Sequence, residues 1–256
     1  MKLSRELEFL VWGGSTLMRL LTAIPVYNEE RYLETVLREI VRHAPGDVLV
    51  VDDGSKDRTP LILASFKRVR VIRHPRNLGY GAALRSAFEA TLAGNYDGLV
   101  TLDCDGQHEP KRIHEVAAPL DRADIVSGSR YLKVFDPTQA PPEARKRINV
   151  EVTRWLNECL GFTLTDAFCG FKAYRASALA KFSITDDGYA MPLQIWAQAA
   201  RQGMTVVEVP VPLIYLDESR AFGGALDDAE YRLNHYRDVL KKAMADAGLE
   251  TAGSCR

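Results

Sequence analysis

The chain has 256 residues, 46% apolar and 26% charged, and its 33 Lys+Arg against 34 Asp+Glu give a formal net charge of −1 at pH 7. Those values exclude a disordered chain and a strongly basic protein held on nucleic acid by bulk electrostatics, and the length suits one to two domains with a proper core. Four cysteines (Cys104, Cys159, Cys169, Cys255) without CxxC spacing indicate neither a zinc site nor a disulfide framework, and the longest apolar stretch, residues 9–26, is broken by Gly13, Gly14, Ser15, Thr16 and Arg19, so the expectation is a cytoplasmic protein with neither a transmembrane helix nor a secretory signal.

In chain order, residues 20–26 read as a strand, and residues 29–43 as a helix with Leu33, Val36, Leu37, Ile40 and Val41 at three- and four-residue spacing. A second strand at 48–51 runs into the turn Asp52-Asp53-Gly54-Ser55, and Asp57 opens a helix reaching about Phe66. Residues 69–72 form a third strand, 81–93 a helix ended by Gly94, 98–102 a fourth strand and 124–126 the core of a fifth. The second half is less regular. Residues 133–142 carry three prolines and read as a loop, 143–160 as a helix closed by Gly161, 169–174 as extended, 192–201 as a helix, 205–209 as a strand and 227–245 as a final helix before a polar tail. Strand alternating with helix predicts an α/β protein whose central, mostly parallel sheet is covered on both faces.

Ligands of open α/β sheets sit beyond the carboxyl ends of the strands. Four consecutive ends carry unusual residues here: Pro25-Val26-Tyr27-Asn28-Glu29, Asp52-Asp53-Gly54-Ser55, Asn77-Leu78-Gly79-Tyr80-Gly81 and Asp103-Cys104-Asp105-Gly106-Gln107. Asp, Asn and Gly are ordinary turn residues, which explains any one of them. It explains poorly why three ends are acidic, since such carboxylates repel one another unless a cation or donor-rich ligand lies among them. The dinucleotide fingerprint fails because position 84 is Leu, and Gly54-Ser55-Lys56 lacks the order of a phosphate-binding loop. A metal bridge to phosphate is the alternative: Asp103 and Asp105 offer hard oxygen ligands that suit Mg²⁺ or Mn²⁺.

Together with Gly128-Ser129-Arg130-Tyr131 and Asp166-Ala167-Phe168-Cys169-Gly170-Phe171, these segments resemble, in order, the family 2 glycosyltransferases of the GT-A fold. The nearest branch is that of dolichyl-phosphate mannosyltransferase and related polyprenyl-phosphate glycosyltransferases, and the resemblance covers roughly residues 20 to 220. It implies a Rossmann-like GT-A fold and a metal-dependent, inverting transfer of sugar from a UDP- or GDP-sugar to an acceptor, either a polyprenyl phosphate or a soluble hydroxyl compound. It also implies that Pro25, Tyr27, Glu29 and Asp53 line the nucleoside pocket with Asp52 beside them. Asp103, Cys104, Asp105 and Gln107 would hold ribose and diphosphate, with Asp103, Asp105 and Gln107 at the metal (Mg²⁺ or Mn²⁺). Arg130 and Arg220 would meet the diphosphate. The layout expected is an N-terminal extension at 1–19, a glycosyltransferase domain at 20–226 with a nucleotide half at about 20–105 and an acceptor half at about 106–226, and a helix and tail at 227–256.

Two places depart from that pattern. No carboxylate follows Gly188-Tyr189 where relatives carry one, which leaves the general base open among Asp166, Asp186 and Asp187, with Asp166 favoured as base or acceptor contact. No Lys follows Arg220, which weakens the case for a phosphate acceptor. Asp186-Asp187 is equally a helix N-cap. His108 and His114 read as surface residues, Trp155 and Trp196 as core, and Arg145-Lys146-Arg147 as a solvated helix face, with headgroup docking the minority reading. A lipid acceptor would be reached peripherally at the inner face of the membrane, through residues 3–21. Rival functions are a catalytically idle nucleotide-sugar-binding protein and a sugar nucleotidyltransferase.

Overall fold

Residues 48–51, Val-Leu-Val-Val, show how the molecule is layered. Successive side chains of a strand point to opposite faces, and here Val48 and Val50 enter one buried cluster while Leu49 and Val51 enter another. A strand apolar on both faces must be covered on both, which is the condition of a parallel sheet between two helical layers. The computed structural model describes residues 18–138, 141, 143–214 and 224–249. Arg220, most of the 3–21 segment and Cys255 lie outside the described residues.

The strands are β1 (Leu20–Val26), β2 (Asp47–Asp52), β3 (Val69–Arg73), β4 (Gly98–Thr101), β5 (Ile125–Ser129), β6 (Lys172–Arg175) and β7 (Val206–Pro210). They form one sheet in the order β3-β2-β1-β4-β6-β5-β7. Pairing is parallel except at β6, which runs antiparallel to both β4 and β5. The helices are α1 (Leu33–His43), α2 (Thr59–Ala64), α3 (Tyr80–Ala93), α4 (Ile113–Ala117), α5 (Glu143–Leu160), α6 (Ala176–Leu179), α7 (Met191–Arg201) and α8 (Ala229–Asp246). Apolar residues of α3, α5, α7 and α8 fill one core, and those of α1 and α4 fill the other.

The expected strands and long helices are present, with shifted ends. The stretch 110–121, not assigned from sequence, is a chain of short helical turns around α4. Trp196 is fully buried, its Nε1 donating to Ala167 O at 2.9 Å, and Trp155 packs partly buried against the same core. Cys104 and Cys169 are free and buried.

Candidate active site

The parallel strands end on one rim, and the chain turns there are tied to one another before they meet any ligand. Asn28 has φ 55°, its N–H donates to Ser55 Oγ (2.9 Å), and its Oδ1 accepts from Lys56 N (2.8 Å). Glu29 N donates to Thr59 Oγ1 (2.9 Å). These bonds lock the β1 and β2 turns together, leaving Pro25, Tyr27 and Glu29 on the wall of a cavity of about 850 Å³.

The two adjacent aspartates of the second turn do different work. Asp52 is fully buried, accepts from Ser55 N (2.9 Å), pairs with Arg73 Nε (3.1 Å), and does not line the cavity. Asp53 lines it, and its oxygens accept from Leu78 N (2.9 Å) and Gly79 N (2.8 Å) and contact His74 Nδ1 (2.6 Å). One carboxylate thus braces the turn, and the next fixes the Asn77-Leu78-Gly79 loop against the cavity. Gly79 and Gly81 serve a close approach: a Cβ would stand 2.1 Å from Asp187 O at Gly79 and 2.2 Å from Asp186 O at Gly81. The segment ahead of Gly188 therefore docks on the start of α3, where Gly81 N donates to Asp187 O (2.8 Å) and Arg85 pairs with Asp187 (2.7 Å).

Asp103, Cys104, Asp105 and Gln107 line the cavity just past β4. Tyr80 Oη donates to Asp103 Oδ1 (3.1 Å), His108 Nε2 stands 3.4 Å from Asp103 Oδ2, and Asp105 Oδ1 accepts from Gln107 N (3.0 Å). Burial and the neighbouring Asp103 both push the Tyr80 phenol above its ordinary value, so it stays a donor. A Cβ at Gly170 would stand 2.1 Å from Asp103 Oδ2, so the wall is shaped around that carboxylate. His108, expected on the surface, is buried and packs against Phe171, just ahead of β6, with ring centroids 5.4 Å apart.

Arg130 lines the cavity from the end of β5 and is clamped from behind. Its Nε and Nη2 donate to the two oxygens of Asp166 (2.7 and 2.9 Å). Asp166 also accepts from Asn149 Nδ2 (2.8 Å), is fully buried and lies behind the cavity wall. Burial pushes its pKa up, but the Arg130 charge and the hydrogen bonds from Arg130 and Asn149 outweigh it and hold it at about 2. Such a carboxylate is a poor proton acceptor. Its geometry suits aiming Arg130, not the base role expected of it.

The other two candidate bases are also engaged. Asp187 pairs with Arg85, Asp186 Oδ1 accepts from Gly188 N (2.8 Å), and neither lines the cavity. Neither caps a helix, since α7 begins after Ala190 without a side-chain cap. In the stretch after Gly188-Tyr189, Gln194 accepts from Thr185 N (2.9 Å) and Asp186 N (3.0 Å) and donates to Thr185 Oγ1 (2.8 Å), bracing the same segment.

Several cavity residues were given no place in the site from sequence. Tyr189 stacks on Tyr80 with ring centroids 5.6 Å apart. Lys172 is 3% exposed, donates to Cys169 O and lies 5.5 Å from the Trp196 ring centre. Burial lowers its pKa, while Asp166 and Asp103 oppose that shift. Arg145 lines the cavity while Lys146 and Arg147 are exposed, so only part of that basic run is a solvated face. Arg232 and Tyr236 reach the cavity from α8. A basic residue inside the apolar run Phe171-Lys172-Ala173-Tyr174 was the one sequence signal among these.

The model of glycosyl transferase family 2 matches residues 22–182 of the chain. An undecaprenyl-phosphate mannosyltransferase of Micrococcus luteus is 34% identical over 222 residues, 83% of this chain and 91% of that protein. A polyprenol monophosphomannose synthase of Mycolicibacterium smegmatis is 30% identical over 227 residues, 84% and 85% of the two chains. Among solved structures, glucosyl-3-phosphoglycerate synthase of Mycobacterium tuberculosis, in complex with Mn²⁺ and UDP-glucose, superposes with a TM-score of 0.67 at 20% identity over 92% of this chain and 81% of that one.

Proposed function

The chain belongs to glycosyl transferase family 2, and on that footing we propose that it moves a sugar from a nucleoside diphosphate to a polyprenyl phosphate, with inversion and with a divalent metal. The observation that carries the acceptor is the state of the carboxylates. Asp166, Asp186 and Asp187 are all engaged and lie off the cavity wall. A hydroxyl acceptor needs a base, whereas a phosphate is already ionised and needs none. The cavity also presents Arg130, Arg145 and Lys172, and the relatives named for undecaprenyl phosphate and polyprenol support the same class. A double displacement would need a carboxylate free to attack the sugar. With those three committed, one in-line attack by the acceptor oxygen is the simpler course, and it inverts the anomeric centre.

In this reading Pro25, Tyr27, Glu29 and Asp53 receive the nucleoside, Asp53 with its carboxylate preset by the 78–79 amides. Arg130, aimed by Asp166, meets diphosphate oxygens; a guanidinium held by a carboxylate on one edge keeps donors for phosphate on the other. Arg220 is a second diphosphate cation in the same proposal. The nucleotide half is 20–105 and the acceptor half 106–226, followed by the helix and tail.

The donor set fits the metal. Asp103 and Asp105 give carboxylate oxygens, Gln107 an amide oxygen, and Gly170 leaves room for the Asp103 carboxylate. Among the described residues no group of three or more His, Cys, Asp or Glu side chains is placed to hold a metal ion by itself. Mg²⁺ and Mn²⁺ are commonly held by one or two carboxylates with the rest of the shell left to water and phosphate. Bound there, the cation would offset charge on the leaving diphosphate. Tyr80 and His108 orient the Asp103 carboxylate in advance.

Among the described residues no helix is long and apolar enough to cross a membrane, so the proposal has the enzyme meet its lipid at the membrane surface. The test is incubation of the protein with UDP- and GDP-sugars, Mn²⁺ or Mg²⁺ and a polyprenyl phosphate in micelles, reading nucleoside diphosphate release and glycosyl lipid by mass spectrometry. Sugar transfer to soluble hydroxyl compounds but never to the lipid would overturn the acceptor assignment.

A further inference from the structure

Glu208 stands in the middle of β7, half-buried and off the wall of the large cavity. It is paired with Ser127 in the parallel β5–β7 register. Facing residues of neighbouring strands share a face, and alternation along a strand puts Ser129 on the same face as Ser127. The Glu208 carboxylate reaches the segment between α5 and β6. Its Oε1 accepts from Thr165 N (3.0 Å) and Asp166 N (3.1 Å), and its Oε2 accepts from Thr165 N (2.8 Å) and Thr165 Oγ1 (2.8 Å).

Those bonds set the direction of a longer chain. An ionised carboxylate only accepts, and a hydroxyl has one proton to give. Thr165 gives its proton to Glu208, so in the 2.5 Å contact between Ser129 Oγ and Thr165 Oγ1 the donor is Ser129. Ser129 Oγ in turn accepts from Tyr131 N (3.2 Å) and Leu132 N (3.1 Å). The chain therefore runs one way, from the amides that flank Arg130 through two hydroxyls to Glu208. The same carboxylate holds the amide of Asp166, whose side chain clamps Arg130.

We propose that Glu208 is a positioning residue for the donor diphosphate, which fixes from β7 both the turn that carries Arg130 and the segment that carries its Asp166 clamp. The inference rests on the reading of Arg130 as a diphosphate-binding arginine. A bidentate ion pair fixes two side chains relative to each other, not relative to the sheet. Arg130 follows the last residue of β5, and Asp166 lies between α5 and β6, so each partner sits just outside a regular element. Asn149 of α5 holds the Asp166 side chain, whereas the Glu208 chain reaches both partners and ends inside a strand. Glutamine at position 208 would keep the shape but turn an NH₂ group toward the Thr165 or Asp166 donors, which breaks the chain at its end.

The experiment measures calorimetric affinity of the full chain for UDP and GDP with Mn²⁺, together with acceptor KM in the micelle assay. The variants are Glu208→Gln, Arg130→Ala and the two combined, with Thr165→Val and Thr165→Ser alongside. Arg130→Ala and Glu208→Gln are each expected to weaken diphosphate binding by about tenfold, the scale of a hydrogen bond to a charged group, with acceptor KM unchanged. In the Arg130→Ala background Glu208→Gln is expected to change that affinity by less than about twofold, because a positioning residue acts only through the group it positions. Thr165→Val should follow Glu208→Gln, and Thr165→Ser, which keeps the hydroxyl, should bind as wild type does. A merely structural Glu208 would lower Tm and weaken binding equally in both backgrounds. That result, or unchanged affinity in a folded Glu208→Gln, overturns the proposal and leaves the Arg130 reading intact. If Glu208→Gln does not fold, Thr165→Val decides by the same comparison, and an unchanged affinity overturns the proposal. Unchanged diphosphate binding in Arg130→Ala, or a wild type that binds neither UDP nor GDP, overturns the Arg130 reading and the proposal with it.

Discussion

Asp166 and Arg130 show how a single pair divides labour. The carboxylate is out of the cavity and saturated, and the arginine it aims is in the cavity. Because the folded pKa, about 2, lies below the roughly 3.9 of an unfolded Asp, ionised Asp166 contributes stability above about pH 4. That contribution is lost as pH falls from about 4 to about 2. Urea titrations at pH 6, 4 and 3 are therefore expected to show a gap between wild type and Asp166→Asn that narrows toward low pH. At neutral pH the variant should also lose about tenfold or more in transfer rate, as Arg130 loses its aim; a fully active Asp166→Asn would remove this role. For the candidate metal ligands, Asp105→Ala is expected to lower Mn²⁺- or Mg²⁺-supported transfer by at least about 100-fold, with nucleotide binding followed by calorimetry. Unchanged turnover would sink the assignment.

At the scale of elements, the site depends on a loop seated on a helix. Gly79 and Gly81 let residues 186–187 approach the first turn of α3, Arg85 pins Asp187, and Gln194 braces the same segment from α7. This seating brings Tyr189 onto Tyr80, and Tyr80 onto Asp103. Gly79 has φ 110°, so an alanine there carries backbone strain as well as a clash. Gly79→Ala is expected to lower Tm by several degrees and to raise amide exchange of residues 185–189 and the donor KM together. Retained protection in that loop would show that the two glycines are dispensable for docking. The glycines were legible in the sequence, but their use was not. Leu84 already ruled out a dinucleotide fingerprint there, but the partner that the glycines admit lies more than a hundred residues on and leaves no local signal.

Over the whole molecule, the sheet separates two cores. Leu37 of α1 is fully buried in one and Leu240 of α8 in the other. Truncating either to Ala should cost about 2–5 kcal/mol. Because the two belong to separate clusters on opposite faces of the sheet, the double variant is expected to lose the sum within about 0.5 kcal/mol in chemical denaturation. A large shortfall would mean that the layers are coupled through the strands. The near-zero net charge belongs at this scale too. It excludes bulk attraction to polyanions but says nothing of the cavity, where carboxylates gather at one end and arginines reach in from β5, α5 and α8.

Local chemistry determined a great deal. Alternating apolar runs specified the strands, helical spacing specified the covering layers, and turn residues at strand ends marked the rim, because each of these signals is carried by residues near in sequence. Pro25, Tyr27, Glu29, Asp53, Asp103, Asp105, Gln107 and Arg130, which the family resemblance singled out, line the cavity, each close to a strand end, and the roles given to them remain part of the proposal. Only the tertiary structure separated Asp52 from Asp53, placed Asp166 behind Arg130, buried His108, reversed β6 within the sheet, and brought Lys172, Arg145 and Arg232 to one cavity. Those outcomes depend on contacts between segments far apart in the chain. There, direction and burial are decided by what packs against a side chain, and no local pattern records it.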